Sequence, residues 1–373
     1  MEKQEVVVLG AGYAGLLAAL RLAPHARVTL VAPEPHFTER VRLHEHAAGR
    51  ADVTHPLREL LRGTGVAYLA ARATGIDPAG RAVTLDDGRE LRYDRLVLAL
   101  GSRTVAPGER AFTLETTAEL HKRLLDAPGE LVVVGGGLTG VETAAEIAEA
   151  HPAWRVRLVT RGEVGPGLSA KGRAHVRAVL TRLGVRVEEG HPVATPEEVD
   201  ADAVVWAASM TPSTEPAARA GLALDAAGRI RVDAALRSTS HPEIYAAGDC
   251  AAAVSPAAGA LRMACATALP TASHVATCLI DEARGREPRP LDFRYLVQCV
   301  SLGRRDGLIQ SVRADDSPRE LVLTGRSAAW VKERVVRFPV ALMRLAARRP
   351  GLAARVPWAG PGRAGRAGGG GRA

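Results

Sequence analysis

The sequence has few cysteines, and none of them lies in a paired motif. The four thiols in 373 residues belong to Cys250, Cys265, Cys278 and Cys299, and no two of them form a C-x-x-C arrangement. Neither a dithiol redox motif nor a zinc ribbon of the usual spacing is therefore supported. We expect buried or unreactive thiols in a reducing compartment.

Long apolar runs are also missing. No window approaches the ~18 uninterrupted apolar residues that a membrane-spanning helix needs. The N-terminal residues "MEKQE" run directly into a strand pattern and lack the charged-then-apolar order of a secretory leader. These observations predict a cytoplasmic protein, with a peripheral position on the inner face of the membrane as the alternative.

The positive charge is concentrated at one end of the chain. The formal net charge is +8, and the segment from Arg326 to the end carries eleven basic residues and one acid, Glu333, a net of +10. The preceding 325 residues therefore carry +8 − 10 = −2. This asymmetry predicts an anionic partner for the tail, such as an anionic membrane surface, or else a solvated Arg-rich extension. Nucleic acid is disfavoured, because no helix-turn-helix, zinc finger or aromatic RNA platform is visible.

One pattern occurs twice: an apolar run, a glycine-rich turn and a helix-forming stretch. The first copy is "VVVLGAGYAGLLAAL" (6–20) and the second is "LVVVGGGLTGVETAAEIAEA" (131–150). Each copy is followed by another short apolar run, at 27–32 and 155–160, which completes a βαβ unit. Two such units predict two dinucleotide pockets, with something passing between the two dinucleotides.

Further predicted elements lie between and after the two βαβ units. Residues 81–102 read as a hairpin around Asp87 and Gly88 that feeds a buried strand, and 200–209 resemble that strand. A helix is predicted over 264–284 and short strands over 288–328. The low-complexity segment 359–373 predicts disorder.

In the first unit, Gly10, Gly12 and Gly15 occupy the G-x-G-x-x-G positions. Such glycines permit a tight strand-to-helix turn, close approach of the backbone to a pyrophosphate, and close packing of helix on strand. The acid that normally ends the next strand is replaced by Ala32. Glu34 is our candidate ribose ligand, the alternative being a solvated turn residue.

The second unit repeats the spacing with Gly135, Gly137 and Gly140. Its second strand ends with Thr160 and Arg161, where an acid would be typical of an NAD site. An arginine at this place can pair with a 2′-phosphate, so the sequence slightly favours NADPH over NADH. An exposed arginine without a partner is the alternative.

Glu142 lies in the first turn of the second predicted helix, and it is our candidate catalytic residue. An acid at this position also stabilises the positive end of a helix by ~0.3–1 kcal/mol. The second role alone is a sufficient explanation, so the sequence leaves the catalytic role open.

The ordered motifs resemble those of the FAD-dependent pyridine nucleotide oxidoreductases, over about residues 5–335. More narrowly, the chain is similar to the branch of type II NADH:quinone oxidoreductases and apoptosis-inducing-factor-like reductases. The resemblance depends on four motifs in the expected order: "GAGYAG", "LVLALGS" (96–102), "GGGLTG" and "IYAAGDCA" (244–251).

This resemblance implies an oxidoreductase that passes hydride from NAD(P)H to bound FAD and then electrons to an unidentified acceptor. Both coenzymes would be held by residues that match the family motifs. For FAD these are Gly10, Gly12, Tyr13, Ala14, Gly15, Glu34, Arg42, Ala99, Gly101, Ser102, Gly248, Asp249 and Ala268. For NAD(P)H they are Gly135, Gly137, Leu138, Thr139, Gly140, Thr160 and Arg161. Arg42 would contact the pyrophosphate and Asp249 the ribityl chain of the flavin.

The implied fold class is α/β, with two Rossmann-like dinucleotide-binding domains, the NAD(P) domain being inserted into the FAD domain. A small C-terminal α+β module and a basic tail complete the chain. We predict an FAD domain over 1–112 and 242–286, an NAD(P)H domain over 113–241, a module over 287–335 and an amphipathic or disordered tail over 336–373.

Two departures from the family pattern bear on the acceptor, which is predicted to be a small molecule or a protein. The cysteine pair of the disulfide reductases is absent. Quinone-reducing members carry glutamines in an A-Q-x-A-x-Q-Q pattern, whereas this chain has Ala266, Pro270 and Thr271 at those places. The missing glutamines count against quinone reduction, so a membrane-surface quinone reductase is kept only as an alternative. A non-catalytic flavin- or nucleotide-sensing protein is another alternative.

Overall fold

A computed structural model describes residues 3–353, 355 and 356. Its α-helices, in chain order, are α1 (Tyr13–Leu22), α2 (Leu43–Ala47), α3 (Leu57–Leu60), α4 (Thr117–Leu125), α5 (Leu138–Ala150), α6 (Ala170–Arg182), α7 (Glu215–Arg219), α8 (Cys265–Ala283), α9 (Gly325–Arg348) and α10 (Pro350–Ala353). Short 3-10 helices lie at Arg40–Arg42, Leu114–Thr116, Pro196–Glu198 and Gly248–Cys250.

The strands of the described chain, in the same order, are β1 (Glu5–Leu9), β2 (Arg27–Ala32), β3 (His36–Thr38), β4 (Thr54–Pro56), β5 (Ala67–Ala70), β6 (Ala73–Asp77), β7 (Ala82–Leu85), β8 (Glu90–Arg92), β9 (Arg95–Leu98), β10 (Ser102–Arg103), β11 (Ala111–Phe112), β12 (Glu130–Val134), β13 (Arg155–Thr160), β14 (Arg186–Glu189), β15 (Ala203–Trp206), β16 (Thr211–Pro212), β17 (Ile244–Ala246), β18 (Val254–Ser255), β19 (Gly259–Ala260), β20 (Val297–Ser301), β21 (Gly307–Val312) and β22 (Pro318–Thr324).

Two five-stranded parallel sheets organise the molecule, which confirms the predicted pair of Rossmann-like units. The first sheet has the order β17-β9-β1-β2-β5 and the second has the order β11-β15-β12-β13-β14. Their central strands are apolar and buried on both faces, as parallel strands covered by helices must be. In each sheet the first helix follows the central strand directly, so its N-terminus lies at the carboxyl edge, where ligands bind in such folds.

The second sheet is inserted into the first, because β17 returns to pair with β9. The chain leaves the first sheet through β10 and returns to it through β16, and these two strands pair antiparallel. The predicted hairpin is present as β7–β8, next to the buried strand β9.

The boundaries of the inserted domain differ from those predicted from the sequence. Strand β11, at residues 111–112, pairs with β15 and so belongs to the second sheet instead of the first domain. On the return, Ala217, Leu222 and Ile230 are buried with Leu96 of the first domain. We therefore place the insertion between the two strands of the β10–β16 pair, because these residues share the core of the first domain well before residue 242.

The C-terminal part contains a three-stranded antiparallel sheet, β20-β21-β22, and the long helix α9. This sheet matches the predicted module of short strands. Helix α9 runs through the predicted boundary at 335/336, so residues 336–348 are not a separate tail. Apolar residues at helical spacing, Val340, Met343 and Ala346, are buried in one cluster with residues of α1.

The opposite face of α9 is basic and exposed. Trp330 is exposed, and Arg334 stacks over its ring at 5.0 Å. Arg344 and Arg348 continue the same helical stripe. The predicted amphipathic character is thus present, whereas the predicted disorder of 359–373 lies outside the described residues. No helix in the described part is long and apolar enough to cross a membrane.

Candidate active site

The first glycine motif forms a turn that only glycine fits at two positions. Gly10 has φ +101°, and a Cβ there would overlap the carbonyl oxygen of Ala99. A Cβ at Gly15 would overlap the carbonyl oxygen of Gly10. Gly12 is different, because a Cβ there would meet no protein atom within 4 Å. The space in front of Gly12, at the N-terminus of α1, is therefore open to a phosphate group.

Predicted flavin ligands from distant segments meet at this same edge. Gly248 has φ +73°, and a Cβ there would lie 3.1 Å from the Cβ of Ala14 and 3.8 Å from that of Ala268. The N–H of Gly248 donates to Thr271 Oγ1 at 3.0 Å. The "AAGD" turn is thus held between α1 and the first turns of α8.

The two carboxylate oxygens of Asp249 differ in their hydrogen bonding. Ser102 Oγ donates to Asp249 Oδ2 at 2.6 Å, whereas Asp249 Oδ1 is buried and accepts no hydrogen bond from the described residues. A buried carboxylate oxygen without a donor is costly, unless a ligand hydroxyl completes it. The residues present therefore fit a flavin with a hydroxylated side chain, and Ser102 and Asp249 would hold it.

Two further predicted flavin residues, Tyr13 and Gly101, were placed in this pocket by the sequence. Tyr13 is buried, and its ring packs edge-on against Phe37 at 5.0 Å between centroids. Burial raises the pKa of the Tyr13 phenol, so it is neutral at physiological pH. Gly101 adopts φ +69° beside Ser102. The roles of Tyr13 and Gly101 in binding the flavin remain predictions.

Arg42 and Glu34 remain predictions as FAD ligands. The guanidinium of Arg42 is engaged by Glu45 at 2.8 Å and by Glu39 at 3.6 Å. A pyrophosphate would therefore have to share this arginine with two carboxylates. Glu34 is exposed in the turn after Ala32, and its carbonyl oxygen accepts from Tyr68 Oη at 2.9 Å.

The second pocket repeats the geometry of the first. Gly135 has φ +123° against the backbone of Ala207, and a Cβ at Gly140 would overlap the carbonyl oxygen of Gly135. Gly137 has φ −69°, and a Cβ there would meet no protein atom within 4 Å. Leu138 and Thr139 follow in the first turn of α5. The open space at Gly137 therefore fits the pyrophosphate of a second dinucleotide.

The end of strand β13 carries no acid. Thr160 is buried, and a Cβ added at Gly136 would lie 2.7 Å from its Oγ1. Arg161 is exposed, and among the described residues no carboxylate lies within ion-pair distance of it. The predicted positions of both residues at the edge of the second pocket are thus compatible with their proposed contacts to NAD(P)H.

Glu142 is more than a helix-capping acid, because it forms a buried ion pair. Its Oε1 lies 2.8 Å from Lys332 Nζ on α9, and each side chain is only 13% exposed. The N–H of Ser301 donates to the same Oε1 at 2.9 Å. Burial raises the pKa of Glu142, but Lys332 and this N–H outweigh burial, so the pKa lies below its usual value. Burial lowers the pKa of Lys332, and Glu142 more than offsets it.

The groups around this ion pair were not found from the sequence. Lys332 Nζ also donates to the carbonyl oxygen of Cys299 at 3.1 Å. His44 is fully buried, and burial lowers its pKa, so the imidazole is neutral. Cys265, at the start of α8, is close enough for its thiol to affect the pKa of Lys332. The signal for Lys332 is its place in a helical pattern of apolar residues near the end of the segment predicted as the C-terminal module (287–335).

The cysteines do not form a redox pair. All four thiols are free, and burial raises the pKa of Cys250 and Cys265 to about 11. Burial raises the pKa of Cys278 to about 12. Thiols of this kind are not thiolates at neutral pH and are poor nucleophiles. The prediction of unreactive thiols agrees with this arrangement.

The glutamine positions of the quinone-reducing pattern are occupied by structural residues. Thr271 Oγ1 donates to the carbonyl oxygen of Thr267 at 2.8 Å and accepts from Gly248, as described above. Pro270 is buried inside α8. This helix therefore packs against the "AAGD" turn without presenting side-chain amides there.

Comparisons with known proteins agree with this arrangement of two pockets. The sequence profile of the pyridine nucleotide-disulphide oxidoreductase family matches residues 4–268. The chain is 32% identical to an NADH dehydrogenase-like protein of Mycobacterium tuberculosis, covering 88% of this chain and 92% of that protein. It is 27% identical to the type II NADH:quinone oxidoreductase of the same organism, covering 79% and 76%.

A solved structure shares the fold. The sulfide:quinone oxidoreductase of Aquifex aeolicus aligns with a TM-score of 0.77 at 19% identity, covering 92% of each chain. At this identity the likeness shows the fold alone.

The two glycine turns, the orphaned oxygen of Asp249 and the family match lead to one assignment. Hydride passes from NAD(P)H to FAD, and electrons leave for a small-molecule or protein acceptor. The protein contributes to this chemistry by orienting the nicotinamide and flavin rings and by excluding water. The chain therefore belongs to the pyridine nucleotide-disulphide oxidoreductase family and is an FAD-dependent NAD(P)H oxidoreductase.

Proposed function

We propose that this enzyme reduces a quinone at an anionic membrane surface. The observation that carries the proposal is the buried Glu142–Lys332 ion pair, which joins the N-terminal half of α5 to the amphipathic helix α9. Reduction of a quinone to a quinol adds two electrons and two protons. An ammonium held in a mostly buried site can supply a proton to the reduced acceptor, and it is regenerated from solvent.

The surroundings of the ion pair support an apolar acceptor. Cys265 and Cys299 bring thiol-bearing, largely apolar surfaces to Lys332 from α8 and β20. The outer face of the neighbouring sheet and helix exposes Leu321, Leu323 and Trp330. Exposed apolar side chains of this kind are suited to contact an apolar ligand such as a quinone. Relatives of this chain are named for quinone reduction, although the family glutamines are missing here.

Replacement of Lys332 tests the acceptor. We expect Lys332→Met to slow reduction of menadione or a ubiquinone analogue by about a hundredfold or more, the lower end of the range for loss of a general acid. Reduction of the flavin by NAD(P)H and turnover with ferricyanide should stay near wild type, because ferricyanide takes electrons without protons. Lys122→Met, at an exposed lysine of α4, is the matched control.

Two outcomes would contradict the quinone proposal while leaving the oxidoreductase assignment intact. One is turnover with ferricyanide or a ferredoxin but with none of the quinones. The other is equal loss of ferricyanide and quinone turnover in Lys332→Met, since that would point to a structural role for the lysine.

The basic face of α9 supports the membrane position. Arg334, Arg344 and Arg348 point away from the face that packs on α1, and each basic residue near an anionic surface contributes ~1 kcal/mol. Deleting the helix would remove buried residues such as Met343 from the core, so charge reversal is the better test. We expect Arg344→Glu combined with Arg348→Glu to abolish binding to phosphatidylserine vesicles at low salt.

The control for vesicle binding is an equal charge change on the NAD(P)H domain. Arg155→Glu combined with Arg186→Glu alters two exposed arginines at 76% exposure each, far along the chain from α9. Retained binding by the α9 variant, or equal loss in both variants, would contradict docking through α9.

We further propose a preference for NADPH, carried by Arg161. The guanidinium of Arg161, exposed just after β13, can pair with a 2′-phosphate, and this strand ends with Thr160 in place of an acid that would repel the phosphate. Because a relative of this chain is named for NADH, the preference must be measured with both coenzymes. Arg161→Ala should lower kcat/KM for NADPH about tenfold and leave NADH unchanged, as expected for one charge-assisted contact. A wild-type enzyme that prefers NADH would refute this part.

A further inference from the structure

One arginine contacts carboxylates from all three parts of the molecule. Arg304, in the turn between β20 and β21, places Nη2 2.7 Å from Glu146 Oε2 on α5. Its Nη1 lies 3.2 Å from Glu45 Oε1 on α2 and 3.6 Å from Glu333 Oε2 on α9. Its backbone N–H donates to Glu149 Oε2 at 2.8 Å. The FAD domain, the NAD(P)H domain and the C-terminal part therefore meet at this guanidinium.

Glu146 is the most buried carboxylate of this group. Its side chain is 0% exposed, whereas that of Glu149, on the same helix, is 16% exposed. Glu146 Oε2 accepts from both Nε and Nη2 of Arg304. Its Oε1 accepts no hydrogen bond from the described residues, and the nearest cation is Arg50 Nε at 3.6 Å. One oxygen is thus tied to Arg304, and the other is free to carry a proton.

Glu146 also lies one helical turn after Glu142, so both acids project from the same face of α5. The charged groups that face it come from its own helix, from α2 and the residues after it, and from the C-terminal part. They are Glu142, Glu149, Glu45, Arg42, Arg50, Arg304, Lys332 and Glu333. Acids outnumber arginines around Arg304, which favours protonation of the acid that is farthest from solvent.

We propose that Glu146 and Arg304 form a protonation-dependent clamp that sets the position of the N-terminal half of α5, and with it Glu142 and the NAD(P)H pocket, against the FAD domain. Both are positioning residues, because neither lies at the reacting atoms. With Glu146 ionised, Arg304 ties α5 firmly to α2 and α9. With Glu146 neutral, Arg304 keeps only Glu45 and Glu333, and α5 is held less tightly.

The direction of the pH effect follows from burial. Burial is the largest cause that raises the pKa of Glu146, to about 7, and Arg304 and Arg50 offset it only in part. The clamp is therefore engaged above about pH 7 and released below it. Hydride transfer depends steeply on the distance between the two rings, so the rate of flavin reduction should follow the clamp.

The test is the rate of anaerobic flavin reduction by saturating NADPH or NADH, measured by stopped flow from about pH 5.5 to 8.5. For the wild-type holoenzyme we expect the rate constant to rise about fivefold with a midpoint near 7, the change that ~1 kcal/mol of coupling produces. Glu146→Gln keeps the shape and a hydrogen-bond acceptor but cannot ionise, so it should lack this step. Glu149→Gln is the matched control and should retain it.

A second variant separates clamping from folding. Arg304→Lys keeps the charge but cannot contact three carboxylates at once, so its rate above pH 7 should fall to the low-pH level of the wild type. The same pH step in Glu146→Gln as in the wild type would overturn the proposal. A wild-type rate profile in Arg304→Lys would also overturn it. Because no electron acceptor is present, the result is independent of the quinone proposal.

Discussion

Substitution of Gly137 by alanine separates ligand contact from protein packing in the second pocket. Gly137 has φ −69° and ψ 174°, which any residue adopts, and a Cβ there meets no protein atom within 4 Å. The fold should therefore tolerate the methyl group. A pyrophosphate seated on the N-terminus of α5 would instead collide with it, because glycine at this place serves close approach of the backbone.

The size of the effect can be worked from overpacking. An extra methyl group in a filled site costs ~1–3 kcal/mol. With tenfold in affinity per 1.4 kcal/mol, Gly137→Ala should weaken NAD(P)H binding about 5- to 150-fold. The flavin content and the melting temperature should stay at wild-type values. Gly140→Ala should behave in the opposite way and fail to fold, because its Cβ would overlap the carbonyl oxygen of Gly135.

The assay is the dependence of the anaerobic flavin-reduction rate on NAD(P)H concentration, with thermal unfolding of the same samples. Wild-type affinity in Gly137→Ala would refute the placement of the pyrophosphate. A failure of Gly137→Ala to fold, as expected for Gly140→Ala, would refute the claim that the space in front of Gly137 is empty of protein.

Three further predictions concern the first pocket and the buried acid. Gly12→Ala should fold but be purified with little FAD, read from the ratio of absorbance at 450 and 280 nm; full flavin content would contradict the open cradle at α1. Asp249→Asn should loosen FAD about tenfold, because an acceptor to the ribityl hydroxyls loses its charge, and unchanged flavin retention on dilution would count against that contact. The pKa of Glu146 is raised from its unfolded value of 4.5 to about 7, so ionisation disfavours the native state as the pH rises through this window. Relative to the wild type, Glu146→Gln should therefore gain about 3 kcal/mol of stability between pH 5 and pH 8, from 1.36 kcal/mol per pKa unit; a pH-independent difference in unfolding free energy would refute the assignment.

Local patterns predict both dinucleotide pockets. Gly10, Gly12 and Gly15 act within one strand–turn–helix, where a missing Cβ has a direct steric meaning, and the space around each glycine is compatible with that prediction. The same holds for Gly137 and Gly140. The closeness of Ser102 and Asp249 was implied only by the family resemblance, because these residues are far apart in the chain.

The contacts between domains could not be predicted from local sequence patterns. Glu142 was predicted as a candidate catalytic residue, but its partner Lys332 lies on a helix that crosses the predicted boundary at 335/336 between the C-terminal module and the tail. The C-terminal half of α9 is rich in basic residues, so its apolar face, formed by Val340 and Met343, was not predicted to pack on α1. Domain boundaries failed for a similar reason, because strand β11 pairs with a strand from a distant part of the chain.

The central claim is that reduced nicotinamide and FAD are held together so that hydride passes between them. The most direct measurement is an anaerobic stopped-flow experiment on the purified yellow protein, mixed first with NADPH or NADH and then with menadione. The account predicts bleaching of the flavin absorbance by a reduced nicotinamide, and its return on addition of the quinone. A protein that stays yellow with both nicotinamides, or that is colourless after incubation with FAD, would contradict it.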